Sequence, residues 1–435
     1  MESIAQKRRK GIKVVEKRER LVKEMQELEI GELDSRIELV QALIPIGLKA
    51  VGEMLQVEVR QLAGETYNHG KDNHRWGRQG GSVYLSDQKV PIQVPRVRNK
   101  QHKREVSLET YRKFQTPHAM DEKVFLKLLN GISTHRYKES CELGPEVFGI
   151  SPSSVSRRFR KWSEAHLNRL MNRRLDGYDV VAIFIDGKAF AKDGLVIALG
   201  VTIEGGKVVL GIEQMNAENS RSVGQFIDKL IERGLNYEKG LLVVVDGSKG
   251  IIKAVREKFA SYALIQRCQY HKKENVVSYL SPGQQKLWRI RLGQAYNSAS
   301  YKEAVERLTQ LHKELSLINP SAAASLSEGM EETLTVLRLG LPELRRSFYS
   351  TNCIESVMSQ LGQYTDKVDR WRNGKHIQEW AASGLLRMES GMRKIMGYKY
   401  LPFLRERLRQ ALNLEIKTEL VGQQEITEKL VEVGV

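Results

Sequence analysis

Apolar and polar positions follow three patterns along this chain, and each predicts a different kind of element. Over residues 14–64 the apolar positions Leu39, Val40, Leu43, Ile44, Ile46 and Leu48 fall near helical spacing, with Pro45 and Gly47 predicting a kink or break. From Gly64 to Arg104 the chain carries Gly70, Gly77, Gly80 and Gly81 and then the alternation KVPIQVPRVR, which predicts a small β-hairpin edged by prolines. Helical spacing returns over 121–170. Within it GISTHRYKESCELGPEVFGISPSSVSRRFRKWSEAH reads as a helix from Ser133, a turn around Gly149 and a second helix from about Pro152 capped by Ser151, a helix-turn-helix pattern.

Residues 178–271 change again, to continuous apolar runs of the kind that buried strands carry. VVAIFID (180–186) is one. LVIALGVTIEGGKVVLGIEQM (195–215) predicts two strands joined by a turn at Glu204-Gly205-Gly206. SRSVGQFIDKLIERG (220–234) predicts an amphipathic helix with Ser220 as cap and Gly234 as stop. GLLVVVDG (240–247), SKGIIKAVREKFA (248–260) and YALIQRC (262–268) add a strand, a helix and a strand. The order β-β-β-α-β-α-β, with helix following, predicts an α/β sheet whose first strands are antiparallel. Residues 272–345 read as helix throughout, 352–366 and 376–396 as further helices, and the charged tail after Leu412 as fraying.

Composition narrows the classes of function. The 435 residues are 41% hydrophobic and 28% charged, which is ordinary for a globular protein and excludes wholesale disorder. No run approaches the ~18 apolar residues of a membrane span, and the charged start MESIAQKRRKGIKVVEKRER is not expected to be a secretory signal. Three cysteines, Cys141, Cys268 and Cys353, argue for a reducing compartment. The net charge of +17 points to nucleic acid as partner. The surplus is uneven: residues 89–104 hold six basic and no acidic residues, and residues 251–300 hold nine against two. Candidate phosphate or base contacts are therefore Arg96 and Arg98 in the hairpin, and Arg157, Arg158, Arg160 and Lys161 on the second helix of the helix-turn-helix. Solvated basic faces are the alternative in each case.

Asp186 and Asp246 each end a buried run and precede a glycine. Carboxylates at strand ends project into the crevice where open α/β sheets bind ligands, and burying one is costly unless it is paired or holds a cation. Two on neighbouring strands would offer Mg²⁺ the hard oxygen ligands it takes. Asp-Gly is also a common turn at a strand end. Glu355 in STNCIES has two readings that can coexist: the capping-box partner of Asn352, or a carboxylate carried by a helix start toward the two aspartates. Cys268-Gln269-Tyr270-His271 supplies two ligands where structural zinc needs four, and no CxxC exists; His69 and His74 have a ligand-like spacing but lie in the N-terminal region. A role for His271 in orienting an active-site group is open beside that of a satisfied core histidine.

Taken together, IDGK at Asp186, VVVDGSKG at Asp246, QRCQYH at Cys268–His271 and STNCIES at Glu355 resemble the Mutator-like DDE transposases of bacterial insertion sequences. The segments WGRQGG…KVPIQVPRVR and GISTHRY…GISPSSVSRRF extend the resemblance over roughly residues 35–405. It implies a ribonuclease-H-like catalytic core (β-β-β-α-β-α-β-α) with an all-α insertion, and a mainly helical N-terminal DNA-binding region containing a small β-hairpin. The triad would be Asp186, Asp246 and Glu355, holding two Mg²⁺ ions for which Mn²⁺ can substitute, with Cys268, His271 and Asn352 orienting the site. The reaction would be cleavage at the terminal inverted repeats of the element and strand transfer into target DNA, by a homodimer in the bacterial cytoplasm, at the nucleoid, with no membrane partner. The expected division is 1–64 helical (dimerisation or DNA binding), 65–110 small β-rich segment, 111–175 helix-turn-helix, 176–271 first part of the core, 272–345 insertion, 346–410 second part of the core, and 411–435 tail. Lys272, Lys273 and Trp288 at the start of the insertion, and Arg370, Arg372 and Lys375 after the Glu355 helix, are further candidate DNA contacts, Trp288 by stacking on a base or, alternatively, as a packed core residue. Two other functions fit the same motifs: a metal-dependent nuclease or resolvase that cuts without joining, and a DNA-binding regulator with an inactive core.

Overall fold

The computed structural model describes residues 33–66, 72–85, 88–115, 125–134, 137, 151–190, 193–215, 219–368 and 370–414. The chain divides into two compact units, Met1–Leu128 with Ile132–Phe159, and Leu129–Gly131 with Arg160–Val435.

In the first unit, helix α1 (Leu33–Ala63) puts Val51, Leu55, Val59 and Ala63 on one face at intervals of four and buries them against Val83, Val94, Val97 and Leu108. The predicted break at Pro45 and Gly47 is absent: one helical element runs through both. The proline withholds one intrahelical hydrogen bond, while the helix beyond it is fixed by that four-residue seam. β1 (Asn73–Leu85) and β2 (Gln88–Asn99) form the predicted hairpin, paired from Asn73↔Asn99 to Leu85↔Gln88, and β3 (Glu105–Val106) adds to β2 only at Val97 and Arg98. Pro91 and Pro95 therefore lie where β2 has a neighbour on one side only, so their missing N–H breaks no second ladder. A short helix α2 (Glu109–Gln115) follows, held by the Glu58 carboxylate, which accepts from the Glu109 and Thr110 amides.

Of the predicted helix-turn-helix, the described part is its second helix, α3 (Pro152–Met171). Ser151 caps it as expected, its hydroxyl accepting from the Ser154 amide at 3.4 Å. The first helix, expected from Ser133, does not begin there: Ser133 and Thr134 are not helical. The rest of it and the turn around Gly149 fall on residues 135–150, which, apart from Tyr137, lie outside the described residues, as do His69, Cys141, residues 1–32 and the tail beyond 414.

The second unit is built on a five-stranded mixed sheet. β4 (Val180–Phe190), β5 (Asp193–Thr202) and β6 (Lys207–Met215) are antiparallel neighbours; β7 (Leu241–Val245) pairs parallel with β4, and β8 (Ala263–Arg267) parallel with β7, giving the order β6-β5-β4-β7-β8. Alternate side chains divide between two cores. On one face Ile183, Ile185, Val243 and Val245 meet α4 (Ser220–Glu232) and α5 (Lys249–Phe259). On the other Phe184, Ile197, Leu242 and Val244 meet four later helices: α12 (Pro342–Phe348), α13 (Asn352–Thr365), α14 (Gly374–Glu389) and α15 (Leu401–Ala411). Both faces covered is why the strands read as continuous apolar runs. The α4 cap is Asn219, not Ser220: the Asn219 side chain accepts from the Ser222 amide, and Ser220 is the first helical residue. Gly234 stops the turn that follows at φ +92°, a value that favours glycine.

Between β8 and α12 the chain makes a helical excursion with its own core: α6 (Gln269–Ser278), α7 (Pro282–Tyr296), α8 (Tyr301–Ile318), α9 (Pro320–Ser327), α10 (Met330–Thr333) and α11 (Thr335–Arg338), packed around Val276, Leu292, Leu308, Leu315 and Leu326. No helix of the described residues is long and apolar enough to cross a membrane.

Candidate functional site

The sheet register brings the two aspartates together. Ile185 pairs with Val245 across parallel strands β4 and β7, so Asp186 and Asp246, each one residue further on, stand side by side at the same edge. Asp246 closes a tight turn, its carboxylate accepting from the Ser248 amide at 2.8 Å. Asp186 is almost fully buried and accepts from the Gly187 amide at 2.8 Å. Its pKa is pushed up to about 7, first by burial and then by the negative charge of Asp246, with Glu355 adding to it. Glu355 lies in the first turn of α13, which packs on β4. The three predicted carboxylates thus form one electrostatic cluster, although 60 and 109 residues separate them along the chain.

QRCQYH delivers the other wall. Cys268 ends β8 and is fully buried; its amide donates to the Val245 carbonyl at 2.8 Å, one residue before Asp246. His271, one turn into α6, has Nε2 3.9 Å from Glu355. Thr351 joins these groups: its amide donates to Cys268 Sγ at 3.4 Å, and its hydroxyl donates to the Glu355 carboxylate at 2.5 Å and lies 3.4 Å from His271 Nδ1. His271 is pushed up to about 9 by its hydrogen bond with Cys268 and by the nearby Glu355 and Asp246 carboxylates. Its Nδ1 faces the Thr351 oxygen. Burial would raise the Cys268 thiol, but the His271 and Thr351 contacts outweigh it and bring the thiol below its ordinary value.

Two donor sets are available to a cation. Cys268, His271 and Glu355 place one ligand atom each within 4.8 Å of one another. That set has three members where structural zinc takes four, and its sulfur is already engaged by Thr351. The carboxylate set of Asp186, Asp246 and Glu355 is all hard oxygen, and its mutual repulsion is what a divalent cation relieves, so its chemistry fits Mg²⁺.

Several sequence expectations change on contact with the geometry. Thr351, not Asn352, occupies the cap position of α13; Asn352 is exposed, and the Glu355 carboxylate takes a threonine hydroxyl rather than closing a capping box. Trp288 is buried in the helical core, 2% exposed, with the Arg291 guanidinium 4.6 Å above its ring, so it is not placed to stack on a base. Lys272 is buried as well, donates to the Ser325 carbonyl at 2.5 Å, and is pushed down to about 8 by burial. Part of the basic surplus of 251–300 is compensated: Lys253 and Arg289 pair with Glu257 and Glu274 of the same stretch, and Arg256 and Arg267 with Glu332, Lys258 with Asp228 and Arg291 with Glu314 from elsewhere. Lys273 is half-buried.

The other basic candidates also sort by contact. Arg96 pairs with Glu105 at 2.8 Å, and Lys375 with Glu164 at 2.6 Å. Arg98 lies 4.5 Å over the ring of Trp76, itself 45% exposed, and Arg158 lies 5.7 Å over Tyr84. Arg157, Arg160, Lys161, Arg370 and Arg372 are exposed. Sequence reasoning passed over Thr351, which stood in STNCIES without an assigned part. It also passed over Lys188, two residues beyond Asp186, which donates to the Met358 carbonyl at 2.7 Å and so ties β4 to the Glu355 helix.

Comparison with known proteins gives a family match over residues 16–379, to the model described as transposase, Mutator family. The chain is similar to the transposase for insertion sequence element IS905 of Lactococcus lactis, 26% identical over 348 residues that cover 76% of this chain and 85% of that one. It is also similar to the transposase for IS406 of Burkholderia multivorans, 26% identical over 74% of this chain and 86% of that one. The transposase for IS256 in transposon Tn4001 of Staphylococcus aureus is 25% identical over 62% and 70% of the two chains.

Proposed function

This chain belongs to the Mutator family of transposases, and we propose that it binds the terminal inverted repeats of an insertion sequence and breaks and joins DNA strands at Asp186, Asp246 and Glu355. The observation that carries the reading is the convergence of three carboxylates, Asp186 and Asp246 from neighbouring parallel strands just past their last paired residues and Glu355 from a helix start, crowded enough to hold Asp186 near 7. Strand order β6-β5-β4-β7-β8 supports a ribonuclease-H-like core. Asp246 follows the end of β7, while Asp186 does not end its strand as expected but lies within β4, just past the point where the pairing with β7 stops, and Glu355 is on a late helix. The family relatives named as insertion-sequence transposases support the substrate.

Phosphoryl transfer is a matter of positioning and of neutralising charge in line with the scissile bond. Asp186 and Asp246, fixed by the Gly187 and Ser248 amides, would hold two Mg²⁺ ions together with Glu355, Mn²⁺ substituting; the ions would supply an activated oxygen nucleophile and stabilise the leaving oxygen. His271 Nδ1 lies against the Thr351 hydroxyl, and that hydroxyl points its proton at Glu355, which fixes the carboxylate. Exposed Arg157, Arg160, Lys161, Arg370 and Arg372 are the cations available to DNA phosphates. The protein acts as a homodimer that pairs two element ends, with residues 272–345 forming an insertion in the catalytic core.

Labelled DNA carrying the ends of the element, incubated with the protein and Mg²⁺, tests this reading. Nicked and joined products are expected from the wild type, with a loss of at least about a hundredfold in Asp186→Ala and Asp246→Asn. Unchanged cleavage by Asp246→Asn refutes the carboxylate assignment. Cleavage that never yields a joined product replaces the transposase by a nuclease on the same site.

A further inference from the structure

Arg267 is the charged side chain of QRCQYH, beside His271, to which the proposed chemistry gives no part. Its guanidinium is buried, 8% exposed, which is expensive for a charge unless every side is met. Nη2 donates to the Gly247 carbonyl at 3.3 Å, one residue after Asp246. Nη1 donates to the Glu328 carbonyl at 3.2 Å and lies 3.8 Å from the Glu332 carboxylate, both on the returning segment of the helical excursion. Glycines flank it on both sides. Gly247 has φ +115° and Gly329 φ +61°; a Cβ on Gly247 would lie 2.8 Å from Nη2, and one on Gly329 would collide with Nη1. The side chain thus passes between two backbones that only glycine lets approach so closely.

The neighbouring residues secure the same segment from the β8 side. Gln266 donates to the Thr333 carbonyl at 2.8 Å and accepts from the Val336 amide at 2.9 Å, Gln269 donates to Thr333 at 2.8 Å, and the Thr335 hydroxyl donates to the Ile265 carbonyl at 2.6 Å. Those contacts suffice to seat the excursion on β8. What Arg267 adds is a link onward to the turn that carries Asp246. In that turn the aspartate accepts from Ser248 while the carbonyl of the intervening Gly247 is held from behind.

We propose that Arg267 is a positioning residue for the strand-breaking reaction: it sets Asp246 through the Gly247 carbonyl and makes that setting depend on the seating of the helical excursion at Glu328 and Glu332. The inference rests on the carboxylate reading above. Stability alone does not call for an arginine here. An apolar side chain of similar length would avoid burying a charge, and such replacements are often neutral or stabilising; Glu332 would keep Arg256 as its partner. Lysine cannot reproduce the fork, because an ammonium is a point charge and the two carbonyls are taken by two different nitrogens of one planar group.

The test uses the full chain with Arg267→Met, Arg267→Lys and, as control, Asp246→Asn. It measures single-turnover cleavage at saturating end DNA, end-binding affinity, melting temperature, and amide hydrogen exchange without metal or DNA. Expected for Arg267→Met are cleavage slower by about ten- to a hundredfold, end binding within about twofold, an unreduced melting temperature, and faster exchange at residues 246–250 as well as 328–333. Arg267→Lys is expected to be intermediate. Faster exchange confined to 328–333 with wild-type cleavage overturns the proposal, and so does a loss of activity, binding and melting temperature in step, which marks a merely structural residue. If Asp246→Asn cleaves like the wild type, the carboxylate reading fails instead, and the exchange at 246–250 alone decides whether the tie exists.

Discussion

Truncating Trp288 separates a packed core residue from a DNA contact, because the two predict opposite pairs of results. The indole is 2% exposed and shares a core with Val276, Val277, Leu292 and Leu308. Removing a buried aromatic side chain costs about 3–5 kcal/mol, and losing the Arg291 contact over the ring adds up to about 1 kcal/mol. Trp288→Ala should therefore weaken the helical core by at least about 3 kcal/mol, which is on the order of a hundredfold or more in the opening equilibrium. Amide exchange along α8, whose Leu308, Leu311 and Leu315 face the same core, reads that change locally without assuming that the whole chain unfolds in one step. End binding, measured at a temperature where the variant is folded, should fall by less than about threefold. A stacking residue would behave in reverse: binding weaker by about 1–3 kcal/mol with the fold intact. Unchanged α8 protection together with a tenfold loss of binding would refute the packing argument.

Other perturbations follow from the same contacts. Glu389 accepts two hydrogen bonds from Arg173 at 2.8 Å and one from the Val209 amide at 2.7 Å, and both side chains are mostly buried. Glu389→Ala should cost about 3 kcal/mol in urea denaturation, and Glu389→Gln, which keeps an acceptor for Val209, about half as much; an alanine variant within about 0.5 kcal/mol of wild type shows the pair to be idle. His376 is held below its ordinary value of 6.5 by burial and by Arg372 and Arg160, and its Nε2 accepts from Trp380 Nε1 at 3.0 Å. The unfolded chain takes up that proton near 6.5 and the folded chain only at lower pH, so the unfolded state binds more protons between the two and stability is lost as pH falls through this window. Between pH 7.5 and 5.5 the wild type should lose more stability than His376→Gln, and parallel curves would remove the assignment.

The clustered carboxylates were legible because their neighbours are unambiguous. A run such as VVAIFID or LLVVVDG has no surface to present, so both read as buried strands; LLVVV ends where expected, just before Asp246, whereas β4 runs on past Asp186 to Phe190 because β5 continues to pair with it. Caps were less legible. Asn219 and Ser220, or Thr351 and Asn352, are adjacent residues of equal capping ability, and only the path of the chain decides which one stands outside the helix. Lys272 misled for a different reason. Helix α6 turns Gln269, Lys272, Val276 and Val277 inward, so part of its buried face is polar, and a charge count reads that face as solvated. The ties made by Lys188, Arg267 and Thr351 run to backbone carbonyls or to residues far along the chain, and no spacing rule encodes such partners.

Glu355 reaches the site from beyond the helical excursion, and this orders events during synthesis. Asp186 and Asp246 leave the ribosome within one stretch of chain, whereas Glu355 follows 109 residues after Asp246, a delay of about 5–20 seconds at ordinary rates of elongation. Through that interval the sheet has α4 and α5 on one face, while the opposite face, with Phe184, Ile197, Leu242 and Val244, awaits α12–α15. A nascent or prematurely terminated chain consequently lacks the third carboxylate of the cluster and presents an open apolar sheet face.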